Sequence, residues 1–256
     1  MEENKKFAVI IATYRRKNGT SYNNLLRVHK FLMNQTYQNF KVFLVGDDYD
    51  NQEEFDKIVS LFPQDKIFSY NNNISYRTAY FKIAYNKWCV GGILARNIGI
   101  KQAVKEEYKY YLHLDDDDIW TNNHIEIINN TITDFPEVDF IVNKSKYKNS
   151  TLPKEFHKKS NIAVKYNNFN PIPRNSVHSS WTINLKTLGD KIINIYNNSI
   201  KIIDCIKNKE ISEYRLKPHD ASILKELNNL QRKNKIKCIF IPNCTVQKDT
   251  DVNIPE

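Results

Sequence analysis

An α/β architecture with a largely parallel sheet is predicted by three features of this chain. Apolar runs of strand length alternate with helical stripes through the first half. The runs are continuous rather than alternating with polar residues, as expected of strands covered on both faces. Polar turns follow three of these runs, at residues 13–16, 46–50 and 115–118. In open α/β sheets, ligands bind beyond the carboxyl ends of the strands, so those turns are the places to look for a site.

Residues 7–12 (FAVIIA) form the first strand. Leu25, Leu26, His29 and Leu32, with Phe31 and Met33 beside them, give the first helical stripe. Residues 40–45 (FKVFLV) are the second strand. Phe55, Ile58, Val59 and Phe62 mark a short helix ended by Pro63, which cannot donate to a helical ladder. Residues 67–70 form a third strand, and residues 91–104 a helix entered through Gly91 and Gly92. Residues 108–114 are a strand. A helix then runs from Thr121 or Asn122 to Phe135, stopped by Pro136, with Thr121, Asn122 and Asn123 as eligible N-caps. Residues 139–143 close the series as a strand. Strands spaced by helices imply βαβ units and a mostly parallel sheet.

The second half is less regular. Residues 144–173 are polar and basic, and read as a long excursion whose 144–165 stretch covers a ligand, lies on an anionic membrane or is simply solvated. Residues 177–185 read as a strand, 188–196, 200–206 and 221–230 as helices, and 236–241 as a strand ending before Pro242. The expected organisation is one domain in two halves, residues 1–143 and 144–256.

With 256 residues, 41% hydrophobic and 12% aromatic, the chain can bury a sizeable core and is not of disordered composition. No apolar run approaches the roughly 20 residues of a membrane span, and no signal peptide is visible, so an intracellular, cytoplasmic protein is expected. The net charge of +9 favours acidic partners: a phosphorylated ligand, an anionic lipid surface contacted peripherally, or nucleic acid. No aromatic-basic interleaving supports the last. Cys89, Cys205, Cys238 and Cys244 contain no close zinc-type pair; Cys238 and Cys244 flank a strand-like run, and free buried thiols are expected.

The strongest local signal is the run Asp115, Asp116, Asp117 and Asp118 directly after an apolar strand. Four adjacent carboxylates repel one another and call for a cation or solvent. Oxygen ligands suit Mn2+ or Mg2+, which bind through one or two carboxylates and substrate phosphates. Asp115 and Asp117 are spaced to share one ion. The plainer reading is a solvated turn, with Asp118 favouring the N-terminus of the next helix.

Four stretches, taken in order, resemble the inverting glycosyltransferases of family 2, which have the A-type (GT-A) nucleotide-sugar fold. They are Ala12-Thr13-Tyr14; Gln35-Thr36-Tyr37 followed by a strand and Asp47-Asp48; Ala95-Arg96-Asn97-Ile98-Gly99; and Leu114 to Asp118 with Trp120. The resemblance covers about the first half. It implies that Thr13 and Tyr14 line a base pocket by stacking or edge contact. It implies that Asp48 accepts a hydrogen bond from the base, which suggests a UDP-sugar. Arg96 should approach the base or diphosphate, Asp117 should be the main metal ligand, and Asp115 or Asp116 should touch ribose or metal. For Asp47 and Asp48 the plain alternative is a backbone-bonded turn; for Arg96 it is a solvated helix position.

Inverting transfer to a hydroxyl also needs a carboxylate base. The family places an aspartate at the start of a second-half helix, which maps onto Asp220; the plain alternative is a helix N-cap. Many relatives have an acid before it, whereas this chain has His219, assigned to the acceptor side, to tuning Asp220, to binding phosphate or to an exposed turn. His178 is assigned to the donor sugar or diphosphate. Trp181 is assigned to stacking on an acceptor sugar or to the core. Many relatives also carry a C-terminal metal-binding His, and no His follows His219 here. The expected partners are a nucleotide-sugar donor and a glycan, lipid-linked or protein acceptor. A competing reading is a nucleotidyltransferase acting on a nucleoside triphosphate and a sugar phosphate, with Arg15, Arg16 and Lys17 as a weak phosphate loop.

Overall fold

The computed structural model describes residues 6–16, 18–79, 84–153, 172–173, 175–207, 216 and 218–248. Its mixed α/β fold is a curled sheet flanked by helices. The strands are β1 (Phe7–Thr13), β2 (Phe40–Asp47), β3 (Ile67–Asn72), β4 (Tyr110–Asp115), β5 (Ile119–Trp120), β6 (Phe140–Tyr147), β7 (Ser150–Leu152), β8 (Trp181–Asn184) and β9 (Cys238–Lys248). They lie in the order β3-β2-β1-β4-β8-β6-β9-β5, with β7 paired to β6. The first-half strands β3, β2, β1 and β4 are parallel, and β8 enters antiparallel between β4 and β6. The two halves of the chain therefore share one sheet.

Both faces are covered. Phe7, Val9 and Ile11 of β1 point into a core with helices α1 (Thr20–Met33), α2 (Gln52–Val59) and α6 (His124–Asp134), while Ala8 and Ile10 point into a second core. That second core holds Tyr76 of α3 (Tyr76–Ala79), Cys89 and Val90 of α4 (Ala84–Val90), α5 (Ile93–Lys105) and the helices Leu185–Lys207 and His219–Arg232. The uninterrupted FAVIIA run follows from this double burial. Gly99 has a physical reason too: a Cβ there would stand 2.7 Å from Ile10 Cγ2, so only glycine lets α5 close onto β1.

Four expected elements change. His178–Ser180 forms a 3-10 turn with Val177 at its N-cap, and only Trp181–Asn184 is strand. The two expected helices over 188–206 are one helix, Leu185–Lys207. The basic excursion begins as a hairpin, with β6 running to Tyr147 and pairing with β7; residues 154–171 lie outside the described residues. Pro242 does not end its strand. The ladder with β6 passes from Ile241 directly to Cys244, so Pro242 and Asn243 bulge out and β9 continues to Lys248. A bulge is how a ladder accommodates a residue with no N–H to donate. All four cysteines are unbridged thiols; Cys89 and Cys238 are buried, whereas Cys205 and Cys244 are exposed. Among the described residues no helix is long and apolar enough to cross a membrane.

Candidate active site

Strand alternation builds the first wall. On β4, Leu112 and Leu114 point into one core, so Tyr111, His113 and Asp115 share the opposite face, two residues apart. Tyr111 hydroxyl bonds His113 Nδ1, and His113 Nε2 lies 3.1 Å from Asp115 Oδ1. Arg96 of α5 donates to the same Oδ1 at 2.9 Å and is anchored on the Gly91 carbonyl at 3.0 Å. Arg96 is thus an ion-paired residue of the site rather than a solvated helix position. Burial works against the Asp115 anion, but the His113 hydrogen bond and the Arg96 charge prevail and hold its pKa well below the ordinary value.

The other three aspartates are held differently. Asp116 gives both oxygens to Arg16, at 2.7 and 2.8 Å, and Oδ2 also accepts from Thr13 at 2.8 Å. Asp116, expected at ribose or metal, and Thr13, expected at the base pocket, are bonded here to each other, and Asp116 also to Arg16. Both are buried and committed to fastening the turn to the end of β1. Asp118 does not serve a helix N-terminus either, because β5 follows it and α6 begins only at His124. Its carboxylate is 0% exposed, accepts from Ser179 Oγ at 2.6 Å and has Lys248 Nζ 3.5 Å away. Asp117 is the least engaged. Arg16 stands 3.4 Å from one of its oxygens, and its side chain is 19% exposed. Burial, then the neighbouring Asp116 charge, pushes its pKa up to about 6.

The repulsion that suggested a metal is therefore relieved largely by Arg16, Arg96 and Lys248. As a magnesium or manganese site the turn fits through Asp117, with one carboxylate and room for phosphate oxygens. Asp115 is already shared among Arg96, His113 and Lys248, which argues against its expected place as a second direct ligand. His113, Asp115 and His178 also offer ligand atoms within 4.8 Å of one another and could hold an ion. A cation there would meet the Arg96 guanidinium on the same carboxylate.

Asp47 and Asp48 divide their work. Asp47 is buried and accepts from Arg77 at 3.1 Å and from the Gly92 amide at 3.0 Å. Asp48 takes a left-handed conformation, φ 64°, with its amide on the Asn72 carbonyl at 2.8 Å. Its carboxylate has no hydrogen bond or ion pair among the described residues. Tyr14 is stacked on the Arg77 guanidinium, 3.6 Å from the ring centroid, with Arg16 at 4.5 Å. That arrangement favours an edge contact with a base over a stack.

The second half closes the site. Asp220 lies in the first turn of its helix, and Pro218, not Asp220, occupies the N-cap. Its Oδ1 accepts from the Ala221 amide at 2.8 Å, and its Oδ2 stands 3.0 Å from His178 Nε2. Burial opposes this anion, but the His178 contact and the Ala221 amide lower its pKa. His178 in turn lies against His113, with ring centroids 5.1 Å apart. Asp220 is so joined to the acidic turn through two imidazoles. Trp181 does not present a face to a sugar. It is 2% exposed and packs behind His178, ring centroids 4.4 Å apart, donating to Ser176 Oγ at 2.7 Å. His219 is not an exposed turn residue; it is buried against Tyr196 with Nδ1 3.1 Å from Ser199 Oγ. Burial lowers its pKa to about 3, so it is neutral and offers no charge to a phosphate.

The phosphate-loop reading behind a nucleotidyltransferase loses its residues. Arg15 pairs with Asp50 and Glu54, and Arg16 is buried on Asp116; residue 17 lies outside the described residues. Sequence reasoning missed His113, Arg77 and Lys248. For His113 the signal was present, because the polar-apolar alternation of Tyr111 to Asp115 places it on the Asp115 face.

Buried imidazoles also set an acid limit on the fold. Burial lowers His124 and His219 to about 3 and His113 to about 4. An unfolded chain protonates these near pH 6.5, so their contribution to stability is complete above that pH and is lost as pH falls toward 4. Each costs about 1.4 kcal/mol per pH unit across that window. We expect the melting temperature to fall through it and His124→Gln, away from the site, to flatten the slope. An unchanged slope would contradict the assignment of His124.

The comparisons with known proteins agree with this architecture. The family model described as Glycosyl transferase family 2 matches residues 8–186. A relative from Acanthamoeba polyphaga mimivirus, named an uncharacterized glycosyltransferase R139, is 31% identical over 256 residues, covering 97% of this chain and 96% of its own. Among solved structures, S. aureus TarS 1-349 in complex with UDP superposes with a TM-score of 0.58 at 16% identity. That match covers 94% of this chain but 60% of TarS 1-349. The mannosyltransferase PcManGT from Pyrobaculum calidifontis, in complex with GDP-Man and Mn2+, superposes with 0.56 at 12% identity, covering 98% of this chain and 59% of that one. At these identities the two structures speak to the GT-A fold alone. The family match over residues 8–186 and the relative at 31% identity place this chain in glycosyl transferase family 2, as a glycosyltransferase.

Proposed function

We propose that the chain transfers a sugar from a nucleotide-sugar, UDP-linked, to an acceptor hydroxyl with inversion, and that Asp220 is the base. The observation that carries this is the link from Asp220 through His178 and His113 to Asp115, which brings a partly exposed carboxylate to the acidic turn. Asp48, with its free carboxylate at the end of β2, is the acceptor for a uracil N–H, and Tyr14 borders it by its edge. The solved complex of TarS with UDP supports that donor class.

In the reaction the acceptor oxygen attacks the anomeric carbon as the bond to the diphosphate breaks, and the nucleoside diphosphate leaves. The hydroxyl proton passes to Asp220, which His178 and the Ala221 amide hold ionised and aimed. Asp117 would hold a manganese or magnesium ion, whose chemistry is to neutralise charge gathering on the leaving diphosphate. Arg96 keeps Asp115 an anion and the turn in shape.

Thermal melting with UDP, with and without manganese, tests the donor half of this reading. Manganese and UDP together should raise the melting temperature by several degrees, and Asp117→Ala should abolish the manganese-dependent part. No nucleotide-dependent shift in the native protein, or an undiminished one in Asp117→Ala, would overturn it.

A further inference from the structure

Among the described residues, Arg16, Arg96 and Lys248 pair with carboxylates of the acidic turn, and they are not equivalent. The Arg16 side chain is 6% exposed and the Arg96 side chain 17%, whereas that of Lys248 is 33% exposed. Lys248 is thus the one a ligand arriving from solvent reaches most readily. It is also the least committed. Arg16 and Arg96 make ion pairs of 2.7 and 2.9 Å, but Lys248 Nζ sits 3.5 Å from Asp118 and 3.8 Å from Asp115. An ammonium has three N–H donors, and two long contacts leave it able to take a shorter, stronger one. Its placement follows from the bulge at Pro242 and Asn243, which lets β9 run on past β5, pairing Trp120 with Val246 and Ile119 with Gln247. The next residue, Lys248, arrives at the turn between β4 and β5.

We propose that Lys248 is a binding residue for the donor's diphosphate, gripping a phosphate oxygen beside Asp117. This rests on the reading that the site takes a nucleoside diphosphate. The plainer role, neutralising buried Asp118, accounts for the 3.5 Å contact but does not call for a third of the side chain to stay exposed.

Calorimetric titration with UDP and with uridine separates the two, using the full chain with manganese present. Lys248→Met should weaken UDP by about tenfold to a hundredfold, the range for one charge-assisted hydrogen bond. Uridine, which has no phosphate, should bind as in the native protein, and Lys248→Arg should keep most of the UDP affinity. The double variant Lys248→Met with Asp118→Asn removes the uncompensated buried carboxylate, and UDP should remain weak in it. Recovery of UDP binding in the double variant, or equal weakening of UDP and uridine in Lys248→Met, would assign Lys248 to structure and overturn the proposal. Unchanged UDP affinity in Lys248→Met would overturn it as well, while leaving the donor reading intact. Only failure of the native protein to bind UDP would remove both.

Discussion

Asp220→Asn should slow sugar transfer by about 10²–10⁴-fold, the usual worth of a positioned general base, while UDP binding stays within about twofold of native. The change keeps the shape of the side chain and the oxygen that accepts from the Ala221 amide. What it removes is the oxygen lying 3.0 Å from His178 and the capacity to take a proton. Asp220 touches His178 and the Ala221 amide rather than Asp117, so the donor should not sense the change. Initial rates measured with UDP-sugar, alongside UDP titration, give both numbers. A rate within tenfold of native would remove Asp220 from the chemistry. A parallel loss of UDP affinity would make it a donor-site residue instead.

The largest effect on stability should come from Arg16→Met. Arg16 and Asp116 are almost wholly buried, and their bidentate contact is the strongest ion pair in the turn. Removing the guanidinium strands a buried carboxylate, at a cost of about 3–5 kcal/mol. In a chain of this size each kcal/mol corresponds to about 2–4 °C in melting temperature. The drop should therefore be about 10 °C. Combining it with Asp116→Asn should recover most of the loss, since the neutral amide no longer demands a cation. A melting temperature unaffected by Arg16→Met would contradict the account of how the turn is held.

The first half of the fold was legible because its signals are local. FAVIIA and FKVFLV are covered on both faces, so each carries an unbroken apolar run, and Gly91-Gly92 opens α5 where it was expected. Errors appear where tertiary pairing overrides a local signal. Pro242 looks like a strand end from its chemistry, yet a two-residue bulge carries the ladder past it. The helix Leu185–Lys207 runs unbroken through Asn197, Asn198 and Ser199, residues that read locally as a break.

The site divides the same way. Asp115, Asp117, Asp48 and Asp220 could be named from motif order, and each lies at or just beyond the end of a strand or in the first turn of a helix. Their partners could not. Arg16 meets Asp116 across 100 residues of sequence and Lys248 meets Asp118 across 130, and nothing near either cation announces its partner. Trp181 shows the converse limit. An aromatic beside two serines suits a sugar platform, but antiparallel pairing of β8 with β4 and β6 turns it into the core.

The claim that the chain breaks the bond between a sugar and a nucleoside diphosphate is tested most directly by proton NMR of the protein with a panel of UDP-sugars and manganese. One of them should be consumed, UDP should appear in equal amount, and the first product signal should have the anomeric configuration opposite to the donor's. A product that keeps the donor's configuration, or pyrophosphate release from a nucleoside triphosphate and a sugar phosphate with no UDP-sugar consumed, would contradict it.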